Sequence, residues 1–137
     1  TRNIILIGVR SLSIEEAEQI ENIGLEVYYS NDVNTNPGKV AREVSARVGE
    51  SPIYISIDID VLNPAEAPCV STPEPGGLTW NSIITLLKEL CKHGIVGMDI
   101  VEFTPCSDGG RTAILAATLL KKMISYHESA HKLRATS

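Results

Sequence analysis

Two aspartates, Asp58 and Asp60, close the apolar run Ile53-Tyr54-Ile55-Ser56-Ile57. On an extended strand a spacing of two sets both carboxylates on one side of the chain. Like charges held together at the end of an apolar strand repel, and a cation seated between them is the usual compensation. A loop rich in proline and glycine follows, ending at Gly76-Gly77. A third acid, Glu102, comes just after a second apolar run, Ile95 to Val101. If both runs are parallel strands, all three acids point to the edge where ligands of such sheets gather, beyond the carboxyl ends of the strands. That convergence suggests a ligand site built around a metal ion.

The surrounding pattern supplies the scaffold. Asn3 to Val9 reads as a strand, apolar enough to be covered on both faces. Ser13 and Glu16 form a capping box for a helix reaching Ile23, with Gly24 as its stop. Leu25 to Tyr29 reads as a short strand and Asn31 to Asn36 as a polar loop. Pro37 suits the first turn of a helix that runs to Val48 and closes at Gly49. The strand carrying the paired carboxylates is read as Ile53 to Asp60. Thr79 caps a helix with an apolar face from Trp80 to Cys91, ended by His93-Gly94. The last strand, Ile95 to Val101, leads through a loop to a helix from Arg111 to His127, with a frayed tail. Strands alternating with helices argue one parallel sheet covered by helices, a three-layer α/β/α fold.

Composition narrows the classes of function. At 137 residues and a formal net charge of −5 the chain fits one domain, with no basic stripe to hold nucleic acid. It has neither an apolar run fit to cross a membrane nor a signal-peptide pattern at its start. Cys69, Cys91 and Cys106 are scattered, odd in number and without a CxxC. They read as thiols of a reducing, cytoplasmic compartment, with no disulfide framework and no zinc knuckle. The chain enters an apolar strand almost at once, as if cut through a larger sheet.

These residues resemble the ureohydrolase family, which includes arginase, agmatinase and formiminoglutamase. One family block stands here as Ser56, Asp58, Asp60, Pro64, Pro68, Thr72, Pro73, Gly76 and Gly77. A second stands as Val96, Gly97, Asp99, Ile100, Val101, Glu102 and Pro105, and a third as Ile7-Gly8-Val9-Arg10-Ser11. The run from Glu74 to Thr79 looks closer to agmatinase-type members. The resemblance implies an arginase-like α/β/α fold and a binuclear Mn2+ site with Asp58 and Asp60 as ligands. It also implies that Glu102 and Thr72 lie in the substrate pocket. Two carboxylate-held cations would lower the pKa of a bridging water, whose hydroxide attacks a guanidinium carbon and releases urea from agmatine or arginine. Glu102 would orient the cationic group.

The departures fall on the loop. Asn63 replaces an aspartate before Pro64, and Cys69, Val70 and Ser71 replace a small G-T-G run. The family's other metal motifs, G-G-D-H and D-A-H-x-D, and its catalytic histidine belong to an N-terminal half that this chain lacks. The resemblance therefore implies that residues 1–137 are the C-terminal half of a ureohydrolase domain, inactive alone. Its partner would be the missing half, from the same parent chain or a separate one, within a homo-oligomer, trimer or hexamer.

Two other functions compete: a stand-alone metal-binding or oligomerisation module without catalysis, and a haloacid-dehalogenase-type phosphatase using Asp58 and Asp60. The phosphatase reading lacks that family's lysine and later acidic pair and leaves Thr72 to Gly77 without a role. Among the other polar residues, Asp99 reads as structural, bonded to nearby backbone. Arg10 reads as a partner for an acid or for a neighbouring subunit. His127 and His131 have the i, i+4 spacing of a metal pair but read as part of a polar tail. Gly109-Gly110 is too little for an anion nest.

Overall fold

A computed structural model of the chain describes residues 3–135, with side-chain burial through residue 132. Its elements run β1 (Ile5–Val9), α1 (Ile14–Ile23), β2 (Glu26–Tyr29), α2 (Ser30–Thr35), α3 (Pro37–Val48), β3 (Ile53–Asp58), α4 (Trp80–Leu90), β4 (Ile95–Val101) and α5 (Arg111–Ala135). A 3-10 turn, Ile59–Val61, follows β3 directly. Both strand ladders are parallel, β1 with β2 and β3 with β4, so the α/β class read from the sequence is the one observed.

The local signals explain where the helices start and stop. Ser13 accepts from the Glu16 amide while Glu16 accepts from the Ser13 amide, and Gly24 ends α1 in the left-handed conformation. Pro37 opens α3, whose cap residue Asn36 accepts from the Lys39 amide. Thr79 caps α4 through the Ser82 amide. α3 and α4 bury Val40, Ala41, Val44, Ile83, Leu86, Leu87 and Leu90 in one core with Ile57, Ile59, Leu62 and Leu78.

Five expectations change. The first is the single sheet: among the described residues no ladder joins β1 to β3. A cavity of about 210 Å³ lies between their starts, lined by Ile5, Val48 and Ile53 among others. At its far end β1 instead seats on the 3-10 turn. Gly8 has φ +90° and is the skipped residue in the β1–β2 register. A Cβ there would meet the Val61 side chain at 2.4 Å, so glycine permits this approach.

The second change is that residues 30–35, read as loop, form α2. The third is that β3 stops at Asp58, leaving Asp60 in the 3-10 turn. Asp58 stops the strand by accepting the Asp60 amide at 3.0 Å, a local cap that competes with the ladder. The fourth is that α5 continues past His127 to Ala135, because its residues there are sound helix formers with no glycine or proline. Residues 136 and 137, part of the expected frayed tail, lie outside the described residues.

The fifth is the absence of disulfides. Cys69 and Cys106 are bonded, with Cα atoms 5.3 Å apart, and only Cys91 is free. The pair meets because the loop after β3 crosses the loop after β4, through an antiparallel bridge between Val70 and Phe103.

Candidate functional site

The site is built on one buried residue. Ile59, between the two aspartates, is fully buried, while Asp58 and Asp60 are half-buried at the carboxyl end of β3. Pinning Ile59 in the core turns both flanking carboxyls outward, side by side. Their charges act on each other, and Asp58 also accepts the Asp60 amide. Burial pushes the Asp58 carboxyl above its ordinary value, and the charges of Asp60 and Glu102 push the same way, against the Asp60 amide bond that lowers it.

The loop between the 3-10 turn and α4 is tied at its neck. Leu62 and Leu78 pair, the Asn63 amide donates to the Leu78 carbonyl at 3.0 Å and the Leu78 amide to the Val61 carbonyl at 2.8 Å. Gly77 fits there because a Cβ would meet the Leu62 carbonyl at 2.5 Å. α2 supplies the brace. Asn34 donates to the Gly77 carbonyl at 3.1 Å and accepts from the Thr79 amide at 3.1 Å and the Ser82 hydroxyl at 2.8 Å. The helix missed by sequence reading thus holds the base of the site loop.

Thr72, on the exposed part of that loop, donates to Asp60 Oδ2 at 2.9 Å. Arg10, just beyond β1, donates to the Asp60 carbonyl at 2.6 Å and to the Glu74 carbonyl at 3.0 Å. Among the described residues its partners are backbone carbonyls and not the acid side chain considered for it. It spans two backbone carbonyls and ties the turn to the loop. Sequence reading gave Arg10 no such role, although its place at a strand end beside the acids was the available signal.

Glu102 follows β4, exposed, at the same edge. Its φ of 62° is the only positive value outside glycine among the described residues. Such a conformation costs on the order of 1–3 kcal/mol in a residue with a side chain, and strain of this kind concentrates at functional positions. Glu102→Gly is therefore expected to raise stability by about 1 kcal/mol in urea melts, net of glycine's unfolded-state entropy, while Glu102→Gln leaves it unchanged. A destabilised glycine variant would mean that the carboxylate, rather than the backbone, dominates there.

The remaining acids are committed elsewhere. Asp99 accepts from the Tyr54 hydroxyl, and from the Ser56 hydroxyl at 2.7 Å, across the β3–β4 ladder. These bonds hold its carboxyl below the usual range, the Tyr54 bond most. Its role is structural, but through side chains rather than the backbone partners expected. Asp108 accepts from the Thr112 amide at 2.7 Å, the Thr112 hydroxyl at 2.6 Å and the Gly110 amide at 2.8 Å, organising the start of α5. The Gly110 amide is thus spent on Asp108 and not on a ligand. His127 and His131 lie on α5 with ring centroids 4.3 Å apart, edge to face.

The carboxylate pair fits hard cations by donor chemistry, since every available atom is oxygen. The set is partial. Among the described residues the one cluster of three metal-type donors is Cys69, Cys106 and Asp108, whose sulfurs are bonded to each other. Asp58 and Asp60 offer two side chains to a site that needs more.

A family model described as "Arginase family" matches residues 1–125. Mitochondrial arginase 1 of Arabidopsis thaliana is 36% identical over 124 residues, covering 89% of this chain and 36% of the relative. An agmatinase of Edwardsiella ictaluri is 45% identical over 94 residues, covering 68% of this chain and 31% of the relative. The crystal structure of agmatine ureohydrolase from Thermoplasma volcanium superposes with a TM-score of 0.85 at 41% identity, over 94% of this chain and 43% of that one. The chain spans about a third of the length of the curated relatives named and under half of that structure.

Proposed function

The chain belongs to the arginase family, and from that premise we propose that it carries one part of a site that hydrolyses a guanidino C–N bond and releases urea from agmatine or arginine. The observation that carries this reading is the meeting of Asp58, Asp60, Thr72 and Glu102 at the carboxyl edge of two parallel strands. The names of its relatives support the reaction class, a hydrolase of linear amidines.

In this reading Asp58 and Asp60 hold a binuclear Mn2+ centre, which when bound supplies Lewis-acid activation of water. Glu102 accepts the N–H groups of the substrate guanidinium, a charge-assisted and geometrically specific pairing. Thr72 fixes the rotamer of Asp60 by its hydrogen bond and lines the pocket. Arg10 keeps the Asp60 backbone in place, so that turn and loop move together. The rest of the cation shell and the proton-transfer group come, in this proposal, from the family's N-terminal half, as part of the same parent chain or as a separate chain.

No described helix is long and apolar enough to cross a membrane. We place the enzyme in the cytoplasm, as a trimer or hexamer. Side chains left open on the sheet faces and ends, Tyr54 at 60% and Val96 at 70% exposed, favour association.

The test is urea release from agmatine and from arginine, with Mn2+ present. The chain alone is expected to release none. Supplied with a polypeptide carrying the G-G-D-H and D-A-H-x-D motifs, it is expected to release urea, and Glu102→Gln in that mixture is expected to raise KM strongly. Urea from the chain alone would overturn the half-site. A folded, Mn2+-loaded complex without turnover would favour the non-catalytic module.

A further inference from the structure

We propose that the Cys69–Cys106 disulfide is a reducible clamp that locks the Thr72 loop to the Glu102 loop across the mouth of the site. As regulation of catalysis this rests on the guanidino-hydrolase reading; as a clamp it rests on the fold alone. Cys69 lies three residues before Thr72 and Cys106 four after Glu102. One bond therefore joins the two segments that carry the substrate-facing residues. Their Cα atoms, 5.3 Å apart, are within the usual disulfide range.

Besides the Val70–Phe103 bridge, three hydrogen bonds flank the bond. The Thr104 amide donates to the Cys69 carbonyl at 3.1 Å, and the Ser71 and Thr104 hydroxyls pair at 2.9 Å. The Cys69 amide donates to Thr112 Oγ1 at 3.1 Å, wiring that side to the start of α5. Cys69 and Thr112 are buried, whereas residues 101–107, Cys106 among them, are exposed. The crossing thus has a fixed side and an open side. The open side has little apolar packing to hold it once the covalent link is cut.

Exposure also gives the bond its chemistry. A thiolate of an external dithiol attacks Cys106 Sγ, the S–S bond breaks, and the Cys69 thiolate leaves and takes a proton. The second thiol of the reagent then attacks the mixed disulfide and releases Cys106 as a thiol. The chain gains two electrons and two protons, and the dithiol becomes a disulfide. Cys91 takes no part. It is fully buried at the end of α4, with burial pushing its thiol up to about 11, so it is a poor attacking group. A disulfide in a reducing compartment is usually transient or redox-sensing, which fits this placement.

The test uses the whole chain, with dithiothreitol as the dithiol. Alkylation in denaturant followed by intact mass is expected to count one thiol before reduction and three after. Hydrogen exchange of the native chain is expected to become several-fold faster on reduction in residues 63–79 and 102–110, with α1 unchanged. Cys106→Ser is expected to show the fast pattern without reductant, and Cys91→Ser the slow one. Three thiols before reduction, or loops whose exchange ignores reduction, would overturn the clamp, and both readouts need only the unmutated chain. In the complemented enzyme, reduction is expected to change KM while Mn2+ affinity holds. Turnover indifferent to reduction would overturn the regulatory role. Absent turnover in both redox states would count against the hydrolase reading instead, with the exchange result for the clamp unaffected.

Discussion

Ile59→Ala is expected to lower the unfolding free energy by about 2–5 kcal/mol, the usual cost of emptying a fully buried isoleucine site. Ile59 has no exposed surface and packs in one cluster with Ile57, Leu62, Leu78 and the faces of α3 and α4. Set against a total stability of about 5–15 kcal/mol, the loss is a large fraction. The substitution also acts on the site. The buried side chain is what turns Asp58 and Asp60 to the same side, so the variant is expected to lose its Mn2+ response at temperatures where the helices still stand. Urea denaturation by circular dichroism measures the first effect, and Mn2+-dependent shifts in melting temperature the second. Ile14→Ala is the control: Ile14 is 75% exposed, and its loss is expected to stay within about 0.5 kcal/mol. An Ile59→Ala loss no larger than that of Ile14→Ala would mean the turn is not anchored by this residue.

The same locality explains what could be read in advance. The Ser13–Glu16 capping box, Pro37 at a helix start and Thr79 before Ser82 are signals contained within four residues, and each marks a real helix end. The meeting of Asp58, Asp60 and Glu102 was legible because strand-end acids in a parallel α/β fold share one edge, whereas Thr72 was placed with them by the family resemblance alone. α2 was not legible: Ser30-Asn31-Asp32-Val33-Asn34-Thr35 has poor helix formers and one apolar residue. It is helical because tertiary contacts reward it, with Val33 fully buried and Asn34 bonded to the loop base. Cys69 and Cys106 are 37 residues apart, and their pairing depends on two loops crossing, which no local pattern encodes. Asp60 fell outside the strand because Asp58 captures its amide, a choice between two good hydrogen-bonding arrangements that spacing alone does not decide. The gap between β1 and β3 is likewise a property of packing, set where Gly8 lets the first strand lean on Val61.

Asp58→Asn is expected to have opposite effects on stability and on cation binding. The folded chain holds the Asp58 carboxyl above its ordinary value through burial, with Asp60 and Glu102 adding to it. A carboxylate with a raised folded pKa binds protons more tightly in the folded state than in the unfolded one. Its contribution to stability is therefore full below the ordinary aspartate value and lost as pH rises through the raised one. At neutral pH without cations, the ionised group is a cost. Asparagine removes that charge and keeps an oxygen to accept the Asp60 amide. In chelator at about pH 7 the variant is expected to melt a degree or two higher, a small effect because the group is only half-buried and solvent screens it. The advantage is expected to fade as pH falls below the ordinary aspartate value of about 3.9, where the carboxyl is protonated in the folded and unfolded states alike. With Mn2+ the order reverses. The unmutated chain is expected to gain stability in proportion to occupancy, with an affinity that rises with pH because the raised Asp58 carboxyl must give up its proton to bind a cation. Changes around metal ligands commonly cost about 10–100-fold in affinity, so losing a ligand is expected to cost at least about a hundredfold. Thermal melts of both proteins across pH, with chelator and with Mn2+, read all of this in one series. If Asp58→Asn melts lower in chelator at neutral pH and keeps its Mn2+ response, the pair is an amide cap and holds no cation. If the crossover appears, the charge conflict that costs the empty chain stability is the feature that makes it a cation site.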